Sequence, residues 1–216
     1  NLVQSDNLAP YLDVFRHDLQ TGETILISRA ANATGGANAD STSASMSANA
    51  QWIALASAAS DLLSASDTNS GADIFRVDAN TFQRSLITIA RDGNAPNHPI
   101  LTRNVSLSDK PHVSANGRWI AFESFATNLT AEADLNNQSD VFLRDTLNNQ
   151  TSLISIPPEG GTNATNKSEI VAMTPNAAYI VFSITTTNPA INPPNELYVR
   201  DVAAGTTTWV RHSNTI

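Results

Sequence analysis

Apolar residues in this chain come in short runs bounded by Gly, Asn, Asp or Pro, and two of the runs recur as phrases. The first reads LDVFRHD from Leu12, ADIFRVD from Ala72, SDVFLRD from Ser139 and NELYVRD from Asn195. Its leading acid advances from Asp13 to Asp73, Asp140 and Glu196, in steps of 60, 67 and 56 residues. The second reads SANAQWIALAS from Ser47, SANGRWIAFES from Ser114 and TPNAAYIVFSI from Thr174, in steps of 67 and 60. The two phrases interleave in constant order, which marks an internal repeat.

Each repeat resolves into four short strands. A polar-apolar run (Ser43 to Ser47, His112 to Ser114, Ile170 to Thr174) turns into the Trp-Ile-Ala strand, and a longer loop leads to the Asp-Val-Phe strand. A tight turn then enters a last strand, at Glu23 to Ser28, Ser85 to Ile89, Thr151 to Ile156 and Thr206 to Arg211. These segments are rich in Ile, Val, Phe, Trp and Thr, which suit a pleated surface. No window carries apolar residues at i, i+3, i+4 and i+7 for long enough to predict a helix. The sequence therefore predicts an all-β fold of four-stranded antiparallel β-propeller blades, within a single domain over residues 1–216. The count is a blade remnant at 1–29 and full blades at about 43–90, 110–156 and 168–212. Adjacent residues such as Val14 and Phe15 point to opposite faces, so both faces of a blade are predicted to be covered by its neighbours. Phe15, Phe75 and Phe142, with Tyr198 in the fourth copy, are expected to fill the same gap between blades.

Turn chemistry repeats with the strands. The fourth residue after the final Asp of the first phrase is Gly22, Asn149 or Gly205, types that tolerate a positive φ. Phe82 stands there after Asp78, and a different or longer turn is expected at that point. In the other hairpin Asn49, Asn116 and Asn176 hold one position, and Asn116-Gly117 is the strongest hairpin signal in the chain.

Apolar residues make up 41% of the composition, enough for a packed core, while only 15% is charged. A polar, uncharged remainder rich in Ser, Thr, Asn and Ala suits a secreted protein. The net charge of -8 repels phosphate backbones and anionic headgroups, so nucleic acid is not an expected partner. Without cysteine there is neither a disulfide framework nor a thiolate metal site. No apolar window is long enough to predict a membrane span. The chain opens on Asn1, and a leader or a longer N-terminal region is expected to have preceded it.

The phrases SANGRWIAFES, ATNL at Ala126 to Leu129 and SDVFLRD together resemble the TolB-type, WD-repeat-like β-propeller repeats of bacterial extracytoplasmic proteins. The resemblance implies an extracellular, cell-surface or periplasmic location. It leaves activity open, because similar repeats serve as scaffolds, as gating domains of prolyl-oligopeptidase-like hydrolases and as lyase frameworks. Propellers close with at least four blades, and three and a half leave two raw edges. The chain is therefore expected to belong to a longer propeller, or to have its edges covered by self-association or by another chain.

Candidate chemistry is sparse. Asp67-Thr68-Asn69-Ser70-Gly71-Ala72-Asp73 and Asp134-Leu135-Asn136-Asn137-Gln138-Ser139-Asp140 place oxygen side chains at positions one, three and seven. Calcium, which takes about six to eight oxygens, could use Asp67, Asn69, Asp73, Asp134, Asn136 and Asp140. Neither copy supplies the further acidic ligand of a usual calcium loop, and side-chain capping of the turns is the competing explanation. His17, His98, His112 and His212 are scattered, with no pair at ligand spacing, and no Gly-x-Ser-x-Gly elbow occurs. Glu123 breaks the repeat, because Ala56 and Ser183 hold the matching places. The connections Ala30 to Thr42, Asp92 to Asp109 and Pro157 to Ser168 are where a partner would be met. The expected function is a non-catalytic extracytoplasmic binding or scaffold module for a protein or glycan. The alternative is the propeller domain of a larger hydrolase or lyase whose catalytic residues lie elsewhere.

Losing one of the repeated aromatics is expected to cost about 3 to 5 kcal/mol. The check is the urea midpoint of Phe142→Ala, which should fall at unchanged m.

Overall fold

The computed structural model describes residues 10–31, 35–64, 69, 71–97, 108–131, 136–158, 166–185 and 195–210. Every regular element among them is a strand. β1 (Phe15–His17) and β2 (Thr24–Leu26) form an antiparallel pair. A first four-stranded sheet comprises β3 (Ser41–Met46), β4 (Trp52–Ser57), β5 (Asp73–Asp78) and β6 (Arg84–Leu86). A second comprises β7 (Ser108–Val113), β8 (Trp119–Ser124), β9 (Asp140–Asp145) and β10 (Gln150–Leu153). The third comprises β11 (Lys167–Met173), β12 (Tyr179–Thr185), β13 (Asn195–Asp201) and β14 (Thr206–Trp209). Each strand pairs with the next in the chain, so every sheet is an antiparallel meander. Among the described residues no helix is long and apolar enough to cross a membrane.

The two phrases form the central strands, with Ile53 opposite Val77, Ile120 opposite Arg144 and Ile180 opposite Arg200. The first strand of each sheet starts earlier than the alternation predicts. Register shifts between Thr42 and Ser45, between Asp109 and His112, and between Ile170 and Ala172 explain it. A bulge adds an unpaired residue and breaks the period of two.

Both faces of a sheet are covered, as alternation requires. Ile74 and Ile87 on one face of the first sheet join Phe122 and Phe142 of the second in one buried cluster. Val141 and Ile154 on the far face of the second sheet join Ile180, Phe182 and Tyr198 of the third. Ile27, which follows β2, joins Leu55 and Phe75 on the near face of the first sheet. Phe75 and Phe142 thus point toward the preceding sheet in the same way, and Phe122 stacks on Phe142 at 5.8 Å. Tyr198 repeats the arrangement against Phe182 at 5.5 Å. Phe15, which begins the described β1, is only half-buried. The far face of the third sheet is bare: Leu197 is 37% and Val210 44% exposed, against 0% and 2% for their counterparts Val141 and Ile154.

Polar ties cross the same gaps. Arg16 donates to the Ala50 carbonyl at 3.1 Å, and Arg76 to the Gly117 carbonyl at 3.1 Å and Thr146 Oγ1 at 2.6 Å. The third copy of this position is Leu143, which packs in the cluster that holds Ala177. Glu123 is buried, and its carboxylate accepts the Ile170 N–H of the next sheet at 2.8 Å. The break in the repeat at Glu123 is therefore a strut between sheets, set where the β11 bulge frees a donor.

The turn after Asp78 differs from expectation. Phe82 takes φ 58°, and its N–H reaches the Asp78 carbonyl at 2.7 Å, as the Gly22 N–H reaches Asp18 at 2.8 Å. The turn is neither longer nor different. A left-handed backbone is costly for a bulky residue, and the Arg29 guanidinium, 4.0 Å over the Phe82 ring, offsets that cost.

In the other hairpin, the Ser47 hydroxyl donates to Asn49 and accepts from the Trp52 N–H. Ser114, Asn116 and Trp119 repeat this. The residue after the Asn is left-handed each time: Ala50 (φ 55°), Gly117 (φ 74°) and Ala177 (φ 56°). Gly117 has a second constraint, because a Cβ there would lie 2.0 Å from the Trp52 ring of the first sheet. Gly117→Ala is expected to destabilise by about 2 to 4 kcal/mol. Ala50→Gly should instead gain roughly 0.5 kcal/mol by relieving the backbone. Urea unfolding of both variants checks the opposite signs.

Candidate functional site

The leading acids of the first phrase are anchors inside the sheets. Asp13 accepts from the Ser28 hydroxyl at 2.5 Å, Asp73 from Thr88 at 2.6 Å and Asp140 from Ser155 at 2.8 Å. Each hydroxyl in turn accepts the N–H of the residue after the acid: Val14, Ile74 and Val141. The second oxygen of Asp73 accepts from the Asn69 amide at 2.8 Å, and that of Asp140 from Asn136 at 2.9 Å. The carbonyl ends of the two Asn side chains accept the N–H of Gly71 and of Gln138. These bonds tie each loop to its strand, as side-chain capping does. Asp67 and Asp134 lie outside the described residues, as do His98 and His212. No group of three or more His, Asp or Glu comes together among the described residues.

A different set of side chains forms a groove. At the sixth place of each phrase a cross-strand pair holds one basic group: His17 with Thr24, Val77 with Arg84, Arg144 with Thr151 and Arg200 with Thr207. In the second sheet Arg144 donates to Thr151 Oγ1 at 3.1 Å and to Asn149 Oδ1 at 3.4 Å. Asp145, next along the strand, points to the opposite face. Its carboxylate is engaged by Arg118 at 2.8 and 2.6 Å, by the Leu147 N–H at 3.0 Å and by the Asn148 amide at 2.8 Å. Arg144 is buried at 6% exposure, and among the described residues no carboxylate is bonded to it. Burial pulls its pKa below the usual guanidinium value, with Asp145 acting the other way.

Arg144 lines a groove of about 360 Å³ between the first and second sheets. The opposite wall is Ile89, Ala90, Arg91 and Gly93, from the segment that follows β6, and Arg91 is exposed there. At the preceding junction Arg29 stands in the place of Ile89, Phe82 in that of Asn149 and Val77 in that of Arg144. There the Arg29 guanidinium stacks on Phe82 and takes up the space. The groove stays open because Ile89 and Asn149 are smaller than the Arg29 and Phe82 that fill the preceding junction. Sequence reasoning passed over Arg91 and Arg144. The available signal was the Arg-Asp ending shared by SDVFLRD and NELYVRD, with a Thr beyond each turn.

The arrangement of sheets matches solved structures. The chain is similar to TolB from Acinetobacter baumannii over 94% of its own length and 38% of TolB, with 14% identity and a TM-score of 0.51. The fold is that of a TolB-like β-propeller. The propeller is also similar to the tricorn protease, over 93% of this chain and 20% of that one, with 14% identity and a TM-score of 0.51. An acylaminoacyl peptidase of Pyrococcus horikoshii is similar over 91% of this propeller and 27% of the peptidase, with 10% identity and a TM-score of 0.50. The propeller therefore spans well under half of each of these chains. No family model matches it, and no curated protein does.

Two outcomes follow from the electrostatics of the propeller. The Arg118 hydrogen bond, opposed by burial and helped by the turn N–H groups, lowers the Asp145 carboxyl from 3.8 to about 2. A depressed carboxyl stabilises the fold fully above the unfolded value and loses that contribution as pH falls through the folded one. Thermal melts between pH 4 and 2 should therefore decline less steeply for Asp145→Asn than for the parent chain. At the Asn69 and Asn136 loops, capping predicts the same melting midpoint in calcium as in chelator, and a midpoint raised by calcium would point to an ion at Asp73 and Asp140.

Proposed function

We propose that this chain is a non-catalytic binding or scaffold module of an extracytoplasmic bacterial protein, meeting a protein or glycan partner at the loops and groove between its sheets. The observation that carries this is the open groove beside Arg144, at a junction whose counterpart is filled by the Arg29 and Phe82 stack. A scaffold of stacked sheets holds its backbone rigid, and the connections above it are free to vary. Gly93 on the groove wall belongs to one of those long connections, Asp92 to Asp109. Weak charge density and the abundance of Ser, Thr and Asn support an extracytoplasmic setting.

The bare face of the third sheet supports pairing with a further blade, either from a longer chain or from a second copy. Its exposed Leu197 and Val210 hold the positions that the next sheet covers elsewhere. The second reading is the propeller domain of a larger hydrolase, which similarity to part of an acylaminoacyl peptidase supports. The mass of the native gene product separates the two: a product with room for a catalytic domain favours the second.

The groove itself is tested by rebuilding the filled junction. The double variant Ile89→Arg and Asn149→Phe should still fold, with a lowered melting midpoint because a bulky residue takes the left-handed backbone of Asn149 and Arg144 loses an acceptor, and should lose binding on a glycan array or to a purified protein ligand. Binding that survives this change would place the interaction elsewhere.

A further inference from the structure

We infer that the groove between the first and second sheets binds a single carboxylate carried on a neutral polar body of sugar size, with the Arg144 guanidinium as its anchor. This rests on the groove being the binding place, and it names what the groove recognises.

Three observations carry it. The first is a buried charge with no carboxylate bonded to it among the described residues. A buried cation is expensive unless a carboxylate or full hydrogen bonding repays it. The acid next to Arg144 is bonded to Arg118 and the turn, so among the described residues Arg144 donates to two neutral oxygens, those of Thr151 and Asn149. The second is donor capacity. A guanidinium has five N–H donors, and two of them make these bonds. The Nε groups of Arg29, Arg76 and Arg84 are shut in without partners, whereas the Arg144 Nε is not. The groove that Arg144 lines is where a further acceptor would reach it.

The third observation selects the ligand. A planar fork matches the two oxygens of a carboxylate bidentately. Among the described residues one further cation, the exposed Arg91, lines the groove, and the chain carries a net charge of -8, which opposes a dianion such as phosphate. Asn149 and Gln150 offer neutral hydrogen-bonding groups, while Ile89 and Leu129 offer apolar contact. A cavity of about 360 Å³ is at the small end of the range for ligand sites and suits a monosaccharide.

The test is titration of the chain with glucuronate, glucose and inorganic phosphate, followed by calorimetry and by the Arg Nε–H resonances. Glucuronate should bind and shift the Arg144 resonance, with glucose and phosphate each weaker by about tenfold or more. Arg144→Met should lose glucuronate affinity by a similar factor while its melting midpoint holds or rises, since an unpaired buried charge has been removed. Arg144→Lys should lose it too, because an ammonium has no fork. Equal binding of glucose, tighter binding of phosphate, no response to glucuronate, or glucuronate binding unchanged in Arg144→Met would each overturn the assignment. A midpoint lowered in Arg144→Met with binding intact would make Arg144 a structural residue only. If glucuronate is silent but the double variant at Ile89 and Asn149 still abolishes binding of another ligand, the carboxylate fails and the groove stands as the binding place.

Discussion

A four-stranded sheet with apolar side chains on both faces is unstable by itself, because either face left in water forfeits its burial. Everything else in this chain answers that constraint. Ile74 and Val141 reach forward from their sheets, Phe75 and Phe142 reach back, and each sheet completes the cover of the one before. Stability is shared between neighbours, as in any repeat array. The consequence shows at the third sheet, where Leu197 and Val210 keep the character of covered residues without the cover.

Because packing is fixed so firmly, the polar groups between sheets are free to be individual. Arg16 and Arg76 fasten one sheet to the next turn, Leu143 replaces them with an apolar contact, and Glu123 supplies a strut that no other copy has. The groove beside Arg144 belongs to the same class of variation. Two smaller side chains, Ile89 for Arg29 and Asn149 for Phe82, open a space that the preceding junction closes. Rigidity of the sheets keeps that space from collapsing.

Turns carry the second layer of order. Asp18, Asp78 and Asp145 each accept N–H groups across a tight turn. Ser47 and Ser114 do so in the other hairpin. Local bonds of this kind fix strand register without help from the core. They also explain how Phe82 adopts a backbone that its size disfavours: the turn is set by Asp78, and Arg29 stabilises the ring where it lands.

The order of strands, the two-faced burial and most turns were legible in the sequence, because period-two alternation and turn residues are local and the repeat displays them several times. The first strands were legible only in part, since the bulges at Thr42, Asp109 and Ile170 interrupt the alternation by which a strand is recognised. Asp73 and Asp140 drew notice as calcium candidates, whereas their hydroxyl partners Thr88 and Ser155 lie fifteen residues on and meet them only through strand pairing. Arg144 in sequence is one half of an Arg-Asp pair. Only the folded sheet turns the two side chains to opposite faces, gives the acid to Arg118, and leaves the guanidinium buried beside an opening whose other wall comes from the sheet before.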